Sequence, residues 1–312
     1  MKFAAIDIGS NSIKLVVVDA AARDSFAVLA RERQIVRLGH ETLLKGYISR
    51  EAIRRAAKCI RRLRSVAAAR GAESIVAIAT AAVREANNSA RFVEKMEKKT
   101  GLRVAVLSGT EEARLIGLAA SHGCSDTGAA TLNIDIGGGS TEISVFRKGQ
   151  PLTLLSMKLG AVGLTERFLT SDPPRTDQLV QLREEIQTAL KEPARALHKH
   201  EWDAVTGTSG TILAVNAALR LDSAGSNGNA NQKTSIISLK GLTQLNAMLA
   251  VMNVTQRRTY AGLALRRAEI IVAGAIVLEE AMRALGIESL RPCDWSLREG
   301  VIIDQLRQWK PS

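Results

Sequence analysis

Asn133-Ile134-Asp135-Ile136-Gly137-Gly138-Gly139-Ser140-Thr141-Glu142 reads as a buried strand ending in an acid, a turn of three glycines, and a second strand from Thr141 to Phe146. Glycine lets the backbone approach an anion and turn its N–H groups inward, where a Cβ would stand in the way. Asp135 precedes the turn and Glu142 opens the returning strand. Hard oxygen ligands such as these, set beside a phosphate cradle, are what Mg²⁺-dependent phosphoryl chemistry requires. A plain glycine hairpin with Asp135 capping its turn has the same sequence, so a single copy does not decide between the two.

The chain holds the pattern twice. Ala5-Ile6-Asp7-Ile8-Gly9-Ser10-Asn11-Ser12-Ile13-Lys14-Leu15-Val16 lies 128 residues earlier, with Asp7 on Asp135, Gly9 on Gly137, Ser12 on Ser140 and Leu15 on Ile143. Each copy is an apolar strand, an acid, a glycine turn with hydroxyls, and another strand. Two such units half a chain apart imply two related lobes, each presenting a hairpin to a shared cleft. The candidate phosphate ligands are Asp7, Gly9, Ser10, Asn11 and Ser12 in the first hairpin and Gly137, Gly138, Gly139 and Ser140 in the second.

A chain of 312 residues accommodates two domains, and 46% hydrophobic with 24% charged residues is a globular composition. The apolar opening meets Asp7 almost at once, unlike a signal peptide, and no run approaches the ~20 apolar residues of a membrane helix. Cys59, Cys124 and Cys293 are odd in number and far apart, which suggests three small buried hydrophobes in a reducing cytoplasm. The net charge of +12 favours a polyanionic partner. With aromatic residues at 3% there is no stacking platform for nucleic acid, and the glycine hairpins favour phosphate chains instead.

Along the chain, a third strand is expected over Phe26–Leu38, where alternation sets Arg33 and Arg37 on one side, facing either phosphate or water. A basic amphipathic helix follows over Ser49–Ala69, then a strand over Ser74–Thr80 that delivers Arg84 to a strand end and helix start. Asn88 is placed to cap the next helix. Ser108 or Thr110 opens a helix whose first turn holds Glu111 and Glu112, suiting its dipole. Neighbours on a helix point about 100° apart, so at most one of the two faces a given site. The polar linker His122–Gly128 reads as the domain boundary. Gly207, Thr208, Ser209 and Gly210 read as an anion nest between a strand and a helix beginning at Ile212. Asp222–Gln232 reads as a mobile loop, Arg267–Ala284 as a long apolar helix, and Leu290–Trp295 as a last strand.

The paired Asp-Ile-Gly turns resemble the phosphate hairpins of the actin-like, sugar kinase and Hsp70 superfamily. Several further stretches resemble the exopolyphosphatase and guanosine pentaphosphate phosphohydrolase (Ppx/GppA) family: Ala79-Thr80-Ala81-Ala82-Val83-Arg84-Glu85, Ser108-Gly109-Thr110-Glu111-Glu112-Ala113-Arg114, Gly207-Thr208-Ser209-Gly210-Thr211 and Leu297-Arg298-Glu299-Gly300-Val301. With the two hairpins they run in family order from residue 4 to residue 301.

The resemblance implies an α/β fold of two ribonuclease-H-like, actin-like lobes with a cleft between them. The expected lobes are residues 1–123 and 124–297, with a C-terminal helix over ~298–312 packing back on the first. It implies hydrolysis of the terminal phosphoanhydride of inorganic polyphosphate, releasing orthophosphate, with Glu112 as general base and Arg84 on the phosphate chain. Arg37 is a further candidate contact. Mg²⁺ or Mn²⁺ is expected on Asp135 and Glu142, in a cytoplasmic homodimer with no nucleic-acid or membrane partner. Guanosine pentaphosphate is the alternative substrate, and a non-catalytic nucleotide or polyphosphate sensor the alternative class. Larger family members carry extra C-terminal domains that do not follow before Ser312, from which shorter polyphosphates or nucleotides are expected as substrates.

Overall fold

The computed structural model describes residues 1–22, 25–40, 42–124, 130–226, 236–260, 263 and 267–308. They fall into two compact units, Met1–Ala119 with Trp295–Ser312, and Ala120–Asp294.

The first unit opens with β1 (Lys2–Ile8), β2 (Ser12–Ala22) and β3 (Ser25–Ile35). After α1 (Thr42–Lys45) and α2 (Arg50–Ala69) come β4 (Ser74–Ala79), α3 (Ala81–Arg84), α4 (Ser89–Thr100), β5 (Val104–Val106) and α5 (Gly109–Gly123). Its sheet order is β3-β2-β1-β4-β5, antiparallel across the first three strands and parallel thereafter. The second unit holds β6 (Ala130–Ile136), β7 (Thr141–Arg147), β8 (Gln150–Met157), α6 (Ala161–Phe168), α7 (Thr176–Leu197), β9 (Ala204–Thr208) and α8 (Ser209–Ser226). It continues through β10 (Ile237–Ser238), α9 (Leu239–Val251), α10 (Val254–Thr259), α11 (Ile271–Ala284) and β11 (Ser289–Pro292). Its sheet order is β10-β11-β9-β6-β7-β8. Without β10 and read from the other edge, this is the order of the first sheet. The duplication inferred from the two hairpins therefore extends to both sheets, and the chain is an α/β protein of two ribonuclease-H-like units of the actin-like type.

Strand alternation assigns the faces. In β1, Ala4, Ile6 and Ile8 join the core under α2 and α4, with Ile60, Leu63, Phe92 and Met96. Phe3 and Ala5 turn to the opposite face, where Leu115 and Ile116 of α5 cover them with Val301, Ile302 and Leu306 of α12 (Leu297–Gln308). In the second unit Leu132, Ile134, Ile136, Ile143 and Val145 face one large core built around the almost wholly buried α11. The other face of those strands is polar yet buried: Thr131, Asn133 and Asp135 on β6, Glu142 and Ser144 on β7, Thr206 and Thr208 on β9.

Several local expectations are corrected. Cys124 and Cys293 are joined in a disulfide, so only Cys59 is the small buried hydrophobe expected of all three; burial pushes its thiol up to about 11. Sequence separation concealed the pair, because Cys124 and Cys293 stand 169 residues apart at the two ends of the second unit. Asn88 makes no side-chain cap on α4; its amide instead exchanges two hydrogen bonds with the Ile48 backbone, both 2.9 Å. The helix expected from Arg267 begins at Ile271, and the last strand stops at Pro292. Asp222–Ser226 continue α8 instead of opening a loop, and the remainder of that expected loop lies outside the described residues.

Candidate functional site

The candidate residues form two groups, one in each unit. In the first, the β1–β2 turn is closed by the Gly9 amide donating to the Ser12 carbonyl at 3.2 Å. A Cβ on Gly9 would stand 3.1 Å from that carbonyl oxygen, which explains the glycine. The turn is clasped from outside: the amides of Val36 and Arg37 donate to the Asn11 carbonyl (3.2 and 2.9 Å), and the Gly39 amide donates to that of Ser10 (2.6 Å). In a trans peptide the N–H points opposite to the carbonyl of the same plane. Carbonyls 10 and 11 are drawn toward the clasp, so the Asn11 and Ser12 N–H groups point away from it.

Arg37 enters this clasp through its backbone. β3 ends at Ile35 and Arg37 adopts φ 52°, so the strand alternation expected to align it with Arg33 does not reach it. Gly39 was not anticipated. A Cβ there would meet the Ser10 Cβ at 2.7 Å, and the Ser10–Gly39 approach depends on its absence.

Asp7 lies opposite Lys14 on β2, and their charged groups meet at 3.3 Å. Lys14 was overlooked, although the 128-residue repeat aligns it with Glu142. The acid of the first hairpin thus faces a cation, and the acid of the second faces another acid.

Arg84 ends α3, immediately beyond β4, and Glu112 lies in the first turn of α5. Ser108 caps that helix, its Oγ accepting from the Glu111 amide at 3.1 Å. Arg84 Nη1 donates to Glu112 Oε2 at 2.7 Å and to the Leu107 carbonyl at 3.1 Å, while Nε donates to Glu85 at 3.4 Å. The two residues singled out for chemistry are therefore partners, with Glu112 only 6% exposed. Glu111 turns elsewhere and takes both prongs of Arg114 (2.8 and 2.7 Å). Arg114 also reaches Asp304 of α12 at 2.9 Å, and these hydrogen bonds, led by that to Glu111, hold its guanidinium above its ordinary range. The Leu297-Arg298-Glu299-Gly300 stretch also has structural contacts. The fully buried Glu299 accepts from the Ser296 amide and from Arg31, and a Cβ on Gly300 would fall 1.9 Å from the Leu115 carbonyl oxygen.

In the second unit the Gly137 amide donates to the Ser140 carbonyl at 2.9 Å, the counterpart of the Gly9–Ser12 bond. The first amides of α6 hold this loop: Ala161 donates to the Gly137 carbonyl at 3.0 Å and Val162 to that of Gly138 at 2.8 Å. By the same peptide geometry the Gly138 and Gly139 N–H groups point away from α6. Gly160 permits the contact, since a Cβ there would fall 2.2 Å from the Gly139 carbonyl carbon. This gives the Lys158-Leu159-Gly160 turn a role in seating the loop.

Asp135 and Glu142 are direct cross-strand partners on β6 and β7. Side chains so paired lie on one face with Cβ atoms about 5 Å apart. Both are buried, and each carboxylate accepts from a hydroxyl: Asp135 from Thr208 at 2.6 Å, Glu142 from Ser156 at 2.8 Å. The Asp135 contact ends a buried chain in which Thr206 donates to Asn133 (2.9 Å), Asn133 to Thr208 (3.2 Å), and Thr208 to Asp135. The alternation Thr131-x-Asn133-x-Asp135 carried this signal in the sequence.

Gly207–Gly210 differ from the expected loop. Gly207 and Thr208 belong to β9 and α8 begins at Ser209, so strand passes directly into helix. Ser209 takes φ 92° and its own Oγ accepts from the Thr211 and Ile212 amides, capping the helix from within. Gly207 makes room for Leu290 and Ile212. Gly210 makes room for the guanidinium of Arg267, which would overlap any Cβ there. Arg267, buried and bonded to Thr211 Oγ1 at 3.3 Å, was missed because it precedes α11 instead of opening it.

A carboxylate pair with hydroxyl partners is a hard-oxygen donor set, suited to Mg²⁺ or Mn²⁺, which a phosphate ligand would help to coordinate. Among the described residues there is no group of three His, Cys, Asp or Glu able to hold a metal by itself.

Two glycine loops with outward-pointing amides stand on duplicated sheets of the ribonuclease-H-like, actin-like type. The chain belongs to the Ppx/GppA phosphatase family, which it matches over residues 16–309. It is 34% identical to exopolyphosphatase 1 of Mycobacterium leprae over 98% of this chain and 90% of that one, and equally identical to exopolyphosphatase 1 of Mycobacterium tuberculosis. Crystal structures of an exopolyphosphatase from Cytophaga hutchinsonii (TM-score 0.90, 25% identity, 99% of both chains) and of the Aquifex aeolicus family member (TM-score 0.80, 25% identity, 100% and 99%) share the fold. No helix among the described residues is long and apolar enough to cross a membrane.

Proposed function

We propose that this protein is a metal-dependent exopolyphosphatase that removes the terminal phosphoryl group of inorganic polyphosphate. The observation that carries this reading is the paired glycine loop, with two facing buried carboxylates beside one copy and Arg84–Glu112 in the unit of the other. The names of the 34%-identical relatives support polyphosphate as the substrate.

In this reading the Gly138, Gly139, Asn11 and Ser12 amides, with Ser10 and Ser140, hold phosphate oxygens. Glu112 takes a proton from water as the water oxygen attacks the terminal phosphorus. The bridging P–O bond breaks, and orthophosphate leaves a chain one unit shorter. Arg84 orients Glu112 and offsets charge on the phosphoryl oxygens, the positioning and electrostatic work on which phosphoryl transfer depends. Asp135 and Glu142 would hold Mg²⁺ or Mn²⁺, which supplies charge neutralisation for the phosphates. Lys14 balances Asp7 and so confines the metal-binding acid pair to the second unit. The reading includes a cytoplasmic homodimer. In a reducing compartment Cys124 and Cys293 would stand as thiols, which alkylation of protein from intact cells would detect.

Orthophosphate release from polyphosphate and from guanosine pentaphosphate, with Mg²⁺, Mn²⁺ or EDTA, tests the reading. Metal-dependent release that favours polyphosphate is the expected result. Preference for the nucleotide would make the protein a guanosine pentaphosphate phosphohydrolase, and no release from either would leave a binding protein.

A further inference from the structure

α2 carries six arginines and one lysine against a single acid, Glu51. At about 100° per residue, the seven cations fall within about half of the helix circumference. Ala56, Ile60 and Leu63 occupy the buried half. All seven are exposed. Such faces are commonly neutralised by intrahelical pairs, yet among the described residues only two of the seven meet a carboxylate: Arg54 pairs with Glu51, and Arg62 with Glu32. Three others donate to carbonyls, which leaves their charge uncompensated: Arg55 to Val36, Arg61 to Lys99 and Arg64 to Thr100.

This face is continuous with the first glycine loop. Arg55 Nε donates to the Val36 carbonyl at 3.3 Å, and the Val36 amide donates to the Asn11 carbonyl within the turn. From Arg55, Lys58 and Arg62 follow at helical spacing over about 10 Å, leading away from the loop. A linear polyanion with one charge per repeat and no bases to stack matches this surface, which offers cations without aromatic side chains.

We propose that the α2 face is a docking surface for the body of a polyphosphate chain, beyond the phosphates being hydrolysed, and so favours long chains over short ones, the reverse of the preference for shorter substrates expected from the sequence. The proposal rests on the exopolyphosphatase reading. Binding there would add affinity without touching the reacting atoms, and would therefore act on KM and leave kcat unchanged.

The test compares wild type with Arg54→Gln/Lys58→Gln/Arg61→Gln on tripolyphosphate and on polyphosphate several hundred units long. The control Lys191→Gln/Arg195→Gln/Lys199→Gln removes three exposed cations from α7 and its end. For the α2 variant KM for the long chain is expected to rise roughly tenfold, with its salt dependence flattened, while kcat and the tripolyphosphate KM stay within about twofold. An equal rise on both substrates, no rise, or the same rise in the control would overturn the proposal. Direct titration with long-chain polyphosphate and with single-stranded DNA separates the proposal from the catalytic reading. If wild type released no orthophosphate from either chain, the reading would fail. The docking surface would still stand if the α2 variant bound the long chain about tenfold more weakly. A loss confined to DNA would overturn it.

Discussion

The Arg84–Glu112 contact at 2.7 Å joins two residues that lie 28 apart in sequence. Each has a role that depends on the other: the guanidinium orients the carboxylate, and the carboxylate keeps the guanidinium at the end of β4. Arg84→Ala is expected to lower kcat about a hundredfold or more and to lower the thermal midpoint as well, because it takes the guanidinium from the buried Glu112, both read by steady-state kinetics and calorimetry on one preparation. Asp135 and Glu142 make a different prediction. As carboxylates facing each other across β6 and β7 they would share a cation, so Glu142→Gln should weaken Mg²⁺ binding in a calorimetric titration while leaving metal-free stability nearly unchanged. A marked loss of metal-free stability would show that the pair is structural. Residues of this kind were partly legible in the sequence. Asp135, Glu142 and Glu112 stand in motifs, whereas Lys14 and Gly39 show their roles only once the register and the clasp are known.

Among the elements, the strands were the most legible. Their apolar alternation and glycine ends fixed β1, β2, β6 and β7 closely, because each side chain's face follows from its parity. The errors lay at junctions, where tertiary contacts override local signals: Arg37 in a left-handed turn, Ser209 capping its own helix, and Asn88 bonded to Ile48. The α6 entrance shows how one element serves another. Gly160→Ala would drive a Cβ into Gly139, so it should cost about 1–3 kcal/mol in chemical denaturation and raise KM by displacing the loop. The helices around α11 are tied by charge. Burial acts to raise the Glu279 carboxyl, but hydrogen bonds from Arg283, Arg183, Asn246 and Thr243 prevail and hold it at about 2, below its ordinary 4.5. A depressed carboxyl contributes stability that is complete above its ordinary value and is lost as pH falls from about 4.5 toward 2. Glu279→Gln should flatten the pH dependence of unfolding in that window and cost about 3 kcal/mol at neutral pH. An unchanged acid profile would contradict this assignment.

For the whole molecule, duplication followed by divergence is the organising fact. Both sheets keep one strand order and both hairpins keep one turn hydrogen bond, at Gly9–Ser12 and Gly137–Ser140. The units diverge on the sheet face carrying the acids. In the first unit α5 and α12 seal that face with apolar side chains. In the second it is lined by threonine, asparagine, serine and two carboxylates. The repeat was visible in the sequence because the turn demands glycine, and the divergence was not, because it lies in what each strand faces. The central claim is that Glu112 activates water against a polyphosphate end. The most direct measurement is single-turnover orthophosphate release from polyphosphate with Mg²⁺, comparing wild type with Glu112→Gln at saturating enzyme. The account predicts a rate lower by about a hundredfold or more in the variant, with polyphosphate binding retained. A variant that releases orthophosphate at the wild-type rate would contradict it.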